Sequence, residues 1–455
     1  MQRRVTARML RWRRKPDDAA TAPAATADPP TPPTPPPRPS LLASLLRFVR
    51  RATFAALLTY LAAACVCLSP TLQAEALFLH RVTHAWPPCD YDHPELNVTF
   101  AAYPRLSRLL ELSEGLPNTR AHRVPLDGEG VSLGVWHTRP ANECAAGDSR
   151  PWVLHLHGNG ETRCRAKTAR KTQILARPPF CSNVVNLDYR GFADSSHTAG
   201  ALTGAGLLAD AEAALRWLHT RAAPTRAPVM VYGHSLGSHV ALAAAAASCS
   251  SSHAAAAAAA GRTPLPRVVA VMLEGAFTSP ADVAATMLPE AVRWALGPLW
   301  ARLFATPELE LSSSKLGARL AALGCAELPI FQSHGSHDPT VALRLGVELA
   351  RDHLPPQRRL KVQTHVNGLR ELPPLTVVPR GGHDVLEEKE VQQALYEFWL
   401  AAELPLHRPQ WSDVGNNRMR RAQERMMQEK LAKEEAARAK AKEKKKKKTK
   451  KKTVD

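Results

Sequence analysis

The chain has 455 residues, 45% of them hydrophobic, enough for a large buried core. Its formal charge of +19 points to nucleic acid only until it is located: residues 1–51 carry +8, residues 418–455 carry +11, and 52–417 is neutral. That neutral middle excludes a basic groove for DNA or RNA, and the lack of any CxxC pair among the eight cysteines argues against a zinc site.

The chain opens on a basic stretch, "MQRRVTARMLRWRRK", followed by "TADPPTPPTPPPRPS". Proline lacks the helix donor and fixes φ, so residues 1–40 are expected to be an extended, disordered N-terminus. Residues 41–79 follow as a transmembrane anchor region. Within it "ATFAALLTYLAAACVCLS", Ala52 to Ser69, has no charge. Eighteen residues at helical rise span about 27 Å, just enough for a thin bilayer. The positive-inside rule places the arginine-rich N-terminus in the cytoplasm. The rest of this single-pass protein is then lumenal, as expected in the endoplasmic reticulum. The acceptor triplet "NVT" at Asn97 fits that side. Cys65 and Cys67 read as small hydrophobes of the apolar segment. Cys89, Cys144, Cys164, Cys181, Cys249 and Cys325 permit disulfides, with no pairing favoured.

From about 120 to 402 short apolar runs alternate with helical ones. "VSLGVWHTR", "PWVLHLHG", "NVVNLDYRG", "APVMVYGHS", "RVVAVMLEG", "LPIFQSHGSHD" and "LTVVPRGGHD" predict strands. "CRAKTARKTQILARPPF", "GLLADAEAALRWLHTR", "LGSHVALAAAAASC", "TVALRLGVELARDHL" and "VLEEKEVQQALYEFWLAAE" predict helices. The alternation implies an α/β fold whose mostly parallel sheet is covered on both faces. "SSSHAAAAAAAGRTP", 250–264, reads as a low-complexity surface insertion. Residues 276–324 separate two strands by more than a normal crossover, which suggests a helical lid lined by Trp294, Leu299, Trp300 and Phe304. Residues 403–455 form a basic tail, helical then disordered, able to attract anionic lipid headgroups.

"GHSLG", Gly233 to Gly237, fits G-x-S-x-G between a strand and a helix. Such a corner holds Ser235 in a strained backbone, clear of the sheet, at a helix N-terminus that favours an oxyanion. A serine hydroxyl needs a base, and "RGGHDV" after the last strand offers His383. The base needs a carboxylate to orient it, and "SHGSHDPTV" after the preceding strand offers Asp338. The order Ser, Asp, His is that of this strand–corner–helix arrangement. Backbone N–H groups of Asn159, in "LHLHGNGETR", and of Leu236 are the expected oxyanion donors. His155 and His157 form an H-x-H with no third ligand nearby, so no metal and no cofactor are expected.

The motifs "LHLHGNGETR", "VVNLDYRGFADS", "VYGHSLGSHVA", "LEGAFTS" and "HGSHDPTV" resemble the α/β-hydrolase superfamily. Within it they are similar to the membrane-bound lysophospholipid and monoacylglycerol lipase branch, the α/β-hydrolase domain-containing protein 12 or Bem46-like group. The resemblance implies the α/β-hydrolase fold and a serine hydrolase acting on lysophosphatidylserine or another lysophospholipid, or on monoacylglycerol. Ser235, Asp338 and His383 carry over as triad. The alanine insert, the basic tail and the proline-rich start depart from the pattern. A thioesterase or peptidase on the same fold, and a catalytically silent membrane scaffold, are the competing readings.

Overall fold

The computed structural model describes residues 40–69, 73, 77–79, 89–93, 116–126, 130, 132–144, 149–196, 202–287, 290–291, 294, 311–354, 361–364, 368–371 and 373–406. The chain divides into two compact units, Met1–Leu58 and Thr59–Asp455.

The first described element is helix α1, Leu41–Leu68. Its large apolar side chains, among them Leu46, Phe48, Phe54 and Leu57, are exposed. Among the described residues no helix is long and apolar enough to cross a membrane. Helix α1 contains all of the span expected over Ala52–Ser69 except its last residue. Arg47, Arg50 and Arg51 lie in the N-terminal half of α1, and no charged residue follows them in the helix.

Eight strands form the main sheet: β1 Thr119–Pro125, β2 Ser132–Thr138, β3 Trp152–Leu156, β4 Asn183–Leu187, β5 Val229–His234, β6 Val268–Glu274, β7 Ile330–Gly335 and, after a separate hairpin, β10 Thr376–Val378. The hairpin pairs β8 Lys361–Thr364 with β9 Gly368–Glu371. The sheet order is β1-β2-β4-β3-β5-β6-β7-β10. β2 is antiparallel to β1 and to β4, and all other neighbours are parallel. The expected parallel sheet is therefore present, with one polar edge strand, β1, that its sequence "TRAHRVP" did not announce.

Side chains alternate across each strand and both faces are apolar, because both are covered. Leu154, Leu156, Val185, Leu187, Val231, Val271 and Leu273 face one core. Helices α3, Gly204–Ala222, and α4, Leu236–Cys249, pack there. Val153, Val184, Met230, Tyr232, Met272 and Phe331 face the other, against α2, Ala166–Ala176, and α9, Lys389–Ala401, whose Trp399 is fully buried. Thr203 caps α3 by accepting from Gly206 N–H. α4 is buried along almost its whole length, and its run of alanines brings the helix close to the sheet without side-chain entropy to lose.

Residues 250–264, expected as a surface insertion, include helix α5, Ser251–Ala259, as its alanine content favours, and its described side chains are exposed apart from Ala257. Between it and β7 lie α6, Pro280–Met287, and α7, Ser313–Ala322. In the expected lid Trp294 is 85% exposed. Leu299, Trp300 and Phe304 lie outside the described residues. The helix expected after β7 is shorter, α8 Leu343–Glu348, and passes into a π turn over Leu349–His353.

All six cysteines beyond α1 pair: Cys89 with Cys164, Cys144 with Cys181, and Cys249 with Cys325. The closed loops span 75, 37 and 76 residues. Loops of this size restrict the unfolded chain by about 3–5 kcal/mol in the entropic account. Peptide mapping of non-reduced protein should recover these three pairs, and reduction should lower the midpoint of urea unfolding; any other pairing would contradict the topology.

Candidate active site

This sheet order, with a sharp turn from its central strand β5 into α4, is the α/β-hydrolase fold. The turn residue Ser235 has φ 52° and ψ −117°, a strained conformation for a residue with a side chain. The flanking glycines are required sterically. A Cβ on Gly233 would lie 2.2 Å from the carbonyl oxygen of Gly237, and one on Gly237 would lie 1.9 Å from that of Leu156. Ser235 N–H donates to the carbonyl of Glu274 at 2.8 Å, tying the corner to the end of β6. Leu236 begins α4, so its N–H belongs to the unsatisfied first turn of that helix.

The loop after β3 presses against this corner. A Cβ on Gly158 would lie 3.2 Å from the Cβ of Ser235. Asn159 follows, and its side chain is engaged elsewhere: Oδ1 accepts from Leu79 N–H at 2.8 Å, and Nδ2 donates to the Leu77 carbonyl at 2.7 Å. Its side chain straps the loop to the segment that includes buried Phe78.

His383 and Asp338 meet. The Nδ1–H of His383 donates to Asp338 Oδ2 at 2.7 Å, while Asp338 Oδ1 accepts from the N–H groups of Thr340 and Val341 at 2.8 and 2.9 Å. His334 adds Nε2 at 3.4 Å from Oδ2. Burial pushes the Asp338 carboxyl up, but the bonds from His334 and His383 outweigh it and hold the group well below its usual range. It is an ionised acceptor, which fixes the His383 proton on Nδ1 and leaves Nε2 as a base. The His383 ring lies 4.6 Å from that of His234, the neighbour of Ser235. His337, beside Asp338, instead hydrogen-bonds Ser336.

Beneath the corner sits a buried charge network that sequence reasoning missed. His234 donates from Nδ1 to Glu161 at 3.0 Å and from Nε2 to the His383 carbonyl at 3.3 Å. Glu161 also accepts from Gly158 N–H at 2.9 Å. The Lys171 ammonium lies 2.8 Å from Glu274 and 2.7 Å from Asp384. Lys167 pairs with Asp384, and Arg170 with Glu387, from the same face of α2. Asp384 thus points away from the His383 ring, as its sequence position implied. Burial and Lys171 push the His234 imidazole down, but Glu161 and Asp384 carry it up to about 9. Glu161, His234 and Asp384 converge closely enough to hold a cation. The protonated imidazole and the ammonium already supply that charge. His155 binds Asn186 and His157 binds the Gly158 carbonyl; both are buried and neutral, with burial lowering each. The network's signal in the sequence was slight: a glutamate in "GNGETR", another in "LEG" and a lysine on the buried face of a helix.

No family model matches the chain. Protein ABHD12B of Homo sapiens is 36% identical over 128 residues, covering 25% of this chain and 33% of that protein. Lysophosphatidylserine lipase ABHD12 of Danio rerio is 36% identical over 126 residues, covering 25% of this chain and 31% of the relative. The matches thus span about a third of the length of these relatives. Among solved structures, a Pyrococcus furiosus esterase aligns over 65% of this chain and 93% of its own, with 15% identity and a TM-score of 0.41. A Xanthomonas campestris serine hydrolase described as lacking a lid aligns over 64% and 96%, with 15% identity and a TM-score of 0.36. The chain is similar to ABHD12, as its motifs led us to expect.

The His234 imidazole has a folded-state pKa of about 9 against an ordinary 6.5. A raised value stabilises the fold fully below pH 6.5 and loses that contribution as pH rises through 9. His137, His155 and His239 are lowered, so their effects fall below pH 6.5. Urea unfolding should show stability declining from pH 6.5 to 9, and a His234→Gln variant should flatten that slope; an equal slope in both would refute the assignment.

Proposed function

We propose that this protein hydrolyses carboxylic esters of lipids, with Ser235 as nucleophile, His383 as general base and acid, and Asp338 as the group that orients it. The observation that carries the reading is the strained Ser235 corner at a helix N-terminus, whose neighbour His234 has its ring 4.6 Å from that of His383, an imidazole with its Nδ1 held by an ionised carboxylate. Ser235 Oγ attacks the acyl carbonyl carbon as His383 Nε2 takes its proton. The N–H groups of Leu236 and Asn159 hold the oxyanion. Collapse expels the alcohol, protonated by His383, and leaves an acyl ester on Ser235. Water then attacks that ester, gives its proton to His383, and releases the fatty acid as the proton returns to Ser235.

Two observations support a lipid substrate. Relatives similar over part of the chain are named lysophosphatidylserine lipase, which favours a lysophospholipid. Helix α1 exposes large apolar side chains from Leu41 to Leu61, which favours bilayer surroundings for it. Its uncharged stretch matches the roughly 27 Å core of the endoplasmic reticulum membrane better than a thicker one. Three cysteine pairs favour an oxidising compartment, which agrees with a lumenal domain. Asn97, the expected glycosylation acceptor, lies outside the described residues, as does the basic tail proposed to meet anionic lipid.

Against a panel of lysophospholipids, monoacylglycerols, thioesters and peptides, the purified protein should turn over lysophospholipid fastest. Ser235→Ala should lose at least about a thousandfold in kcat and all fluorophosphonate labelling. Asp338→Asn should lose on the order of 10²–10⁴ with its fold intact. Full activity in the Ser235→Ala variant, or a silent wild type, would sink the reading and favour a scaffold.

A further inference from the structure

The loop that carries His383 has no regular structure of its own around the ring, yet an imidazole must be held to within about half an ångström to act. Its fixed point is Glu274, the last residue of β6. Oε1 of Glu274 accepts from the N–H groups of Val385 and Leu386 at 2.5 and 2.8 Å. Oε2 accepts from the Tyr232 hydroxyl and pairs with the Lys171 ammonium. The carboxylate is 1% exposed, and so is Lys171. The backbone of the same residue holds the nucleophile corner, since its carbonyl accepts from Ser235 N–H. The next residue, Gly275, has φ +59°, and a Cβ there would lie 3.0 Å from Cε1 of His383. One residue therefore touches the corner with its backbone and the histidine loop with its side chain, across a separation of 111 residues.

We propose that Glu274 is a positioning residue that sets the distance between Ser235 and His383. The inference rests on the catalytic reading above and adds to it a residue that touches neither substrate nor the reacting atoms. Two duties of the carboxylate can be separated. One is to accept the N–H groups of the loop, which needs reach. The other is to neutralise Lys171, which needs charge.

Glu274→Gln keeps the reach and loses the charge. Glu274→Asp keeps the charge and withdraws the acceptor by about 1.5 Å. If positioning is the role, the Asp variant loses about 100-fold in kcat, with KM within about threefold, although it melts closer to wild type than the Gln variant does. The Gln variant, less stable, keeps kcat within about tenfold. Amide hydrogen exchange at Val385 and Leu386 accelerates in the Asp variant and not in the Gln variant. The proposal is overturned if kcat follows melting temperature, with the Asp variant the more active, or if exchange at the two amides is unchanged by Asp. A wild type that hydrolyses no ester and takes no fluorophosphonate would instead overturn the catalytic reading, and the exchange experiment would still decide whether Glu274 anchors the loop.

Discussion

One buried ammonium organises the ground beneath the site. Lys171 lies on α2, is 1% exposed, and meets Glu274 from β6 and Asp384 from the loop after β10. Burying an unpaired ammonium costs several kcal/mol, so the carboxylates must stay close to it. That requirement links a helix, a strand end and a loop far apart in sequence. Burial pushes the Glu274 carboxyl up, but Lys171 and His234 prevail and keep it ionised. One carboxylate oxygen, through its two lone pairs, accepts two backbone N–H groups from the histidine loop. Such a network stabilises weakly overall, because desolvation offsets most of its Coulombic gain. What it supplies is a single arrangement of the corner and the loops.

The sheet delivers the groups to one edge by parallel topology. β3, β5, β6, β7 and β10 run the same way, so their C-terminal ends lie together. Gly158 follows β3, Ser235 follows β5, Glu274 closes β6, Asp338 follows β7, and His383 follows β10. The alanine-rich α4 contributes by lying close to the sheet, so its first turn stands directly behind the serine.

The local features were legible in the sequence because they are enforced locally. Gly233 and Gly237 are glycine because Cβ atoms there would strike backbone oxygens, and that constraint shows as G-x-S-x-G. The parallel strands showed as unbroken apolar runs because both faces are covered. The Asp338–His383 pair was expected from chain order, and the two meet at 2.7 Å. What stayed hidden depends on three-dimensional partners. Glu161, Lys171 and Glu274 look like ordinary charged residues until the fold surrounds them. Six cysteines allow fifteen pairings, and no spacing rule selects among them. The strand β1 carries polar edge residues, so its period-two signal is faint. The low-complexity stretch after Cys249 was expected at the surface and lies there; its helix α5 went unread because a run of alanines carries no amphipathic period.

The side chain of Asn159 has a practical bearing on how the molecule is prepared. Both ends of its amide are spent on the backbone of Leu77 and Leu79, and the side chain of Phe78 between them is sunk in the main core. Shortening the chain to residue 80, the natural choice for anyone wishing to shed the greasy leading helix, would strip a rivet from the turn that abuts the serine and open a hole where a phenyl ring had been. A detergent-free version is better begun upstream of Gln73, itself sheltered from solvent, so that the strap travels with the fold it fastens.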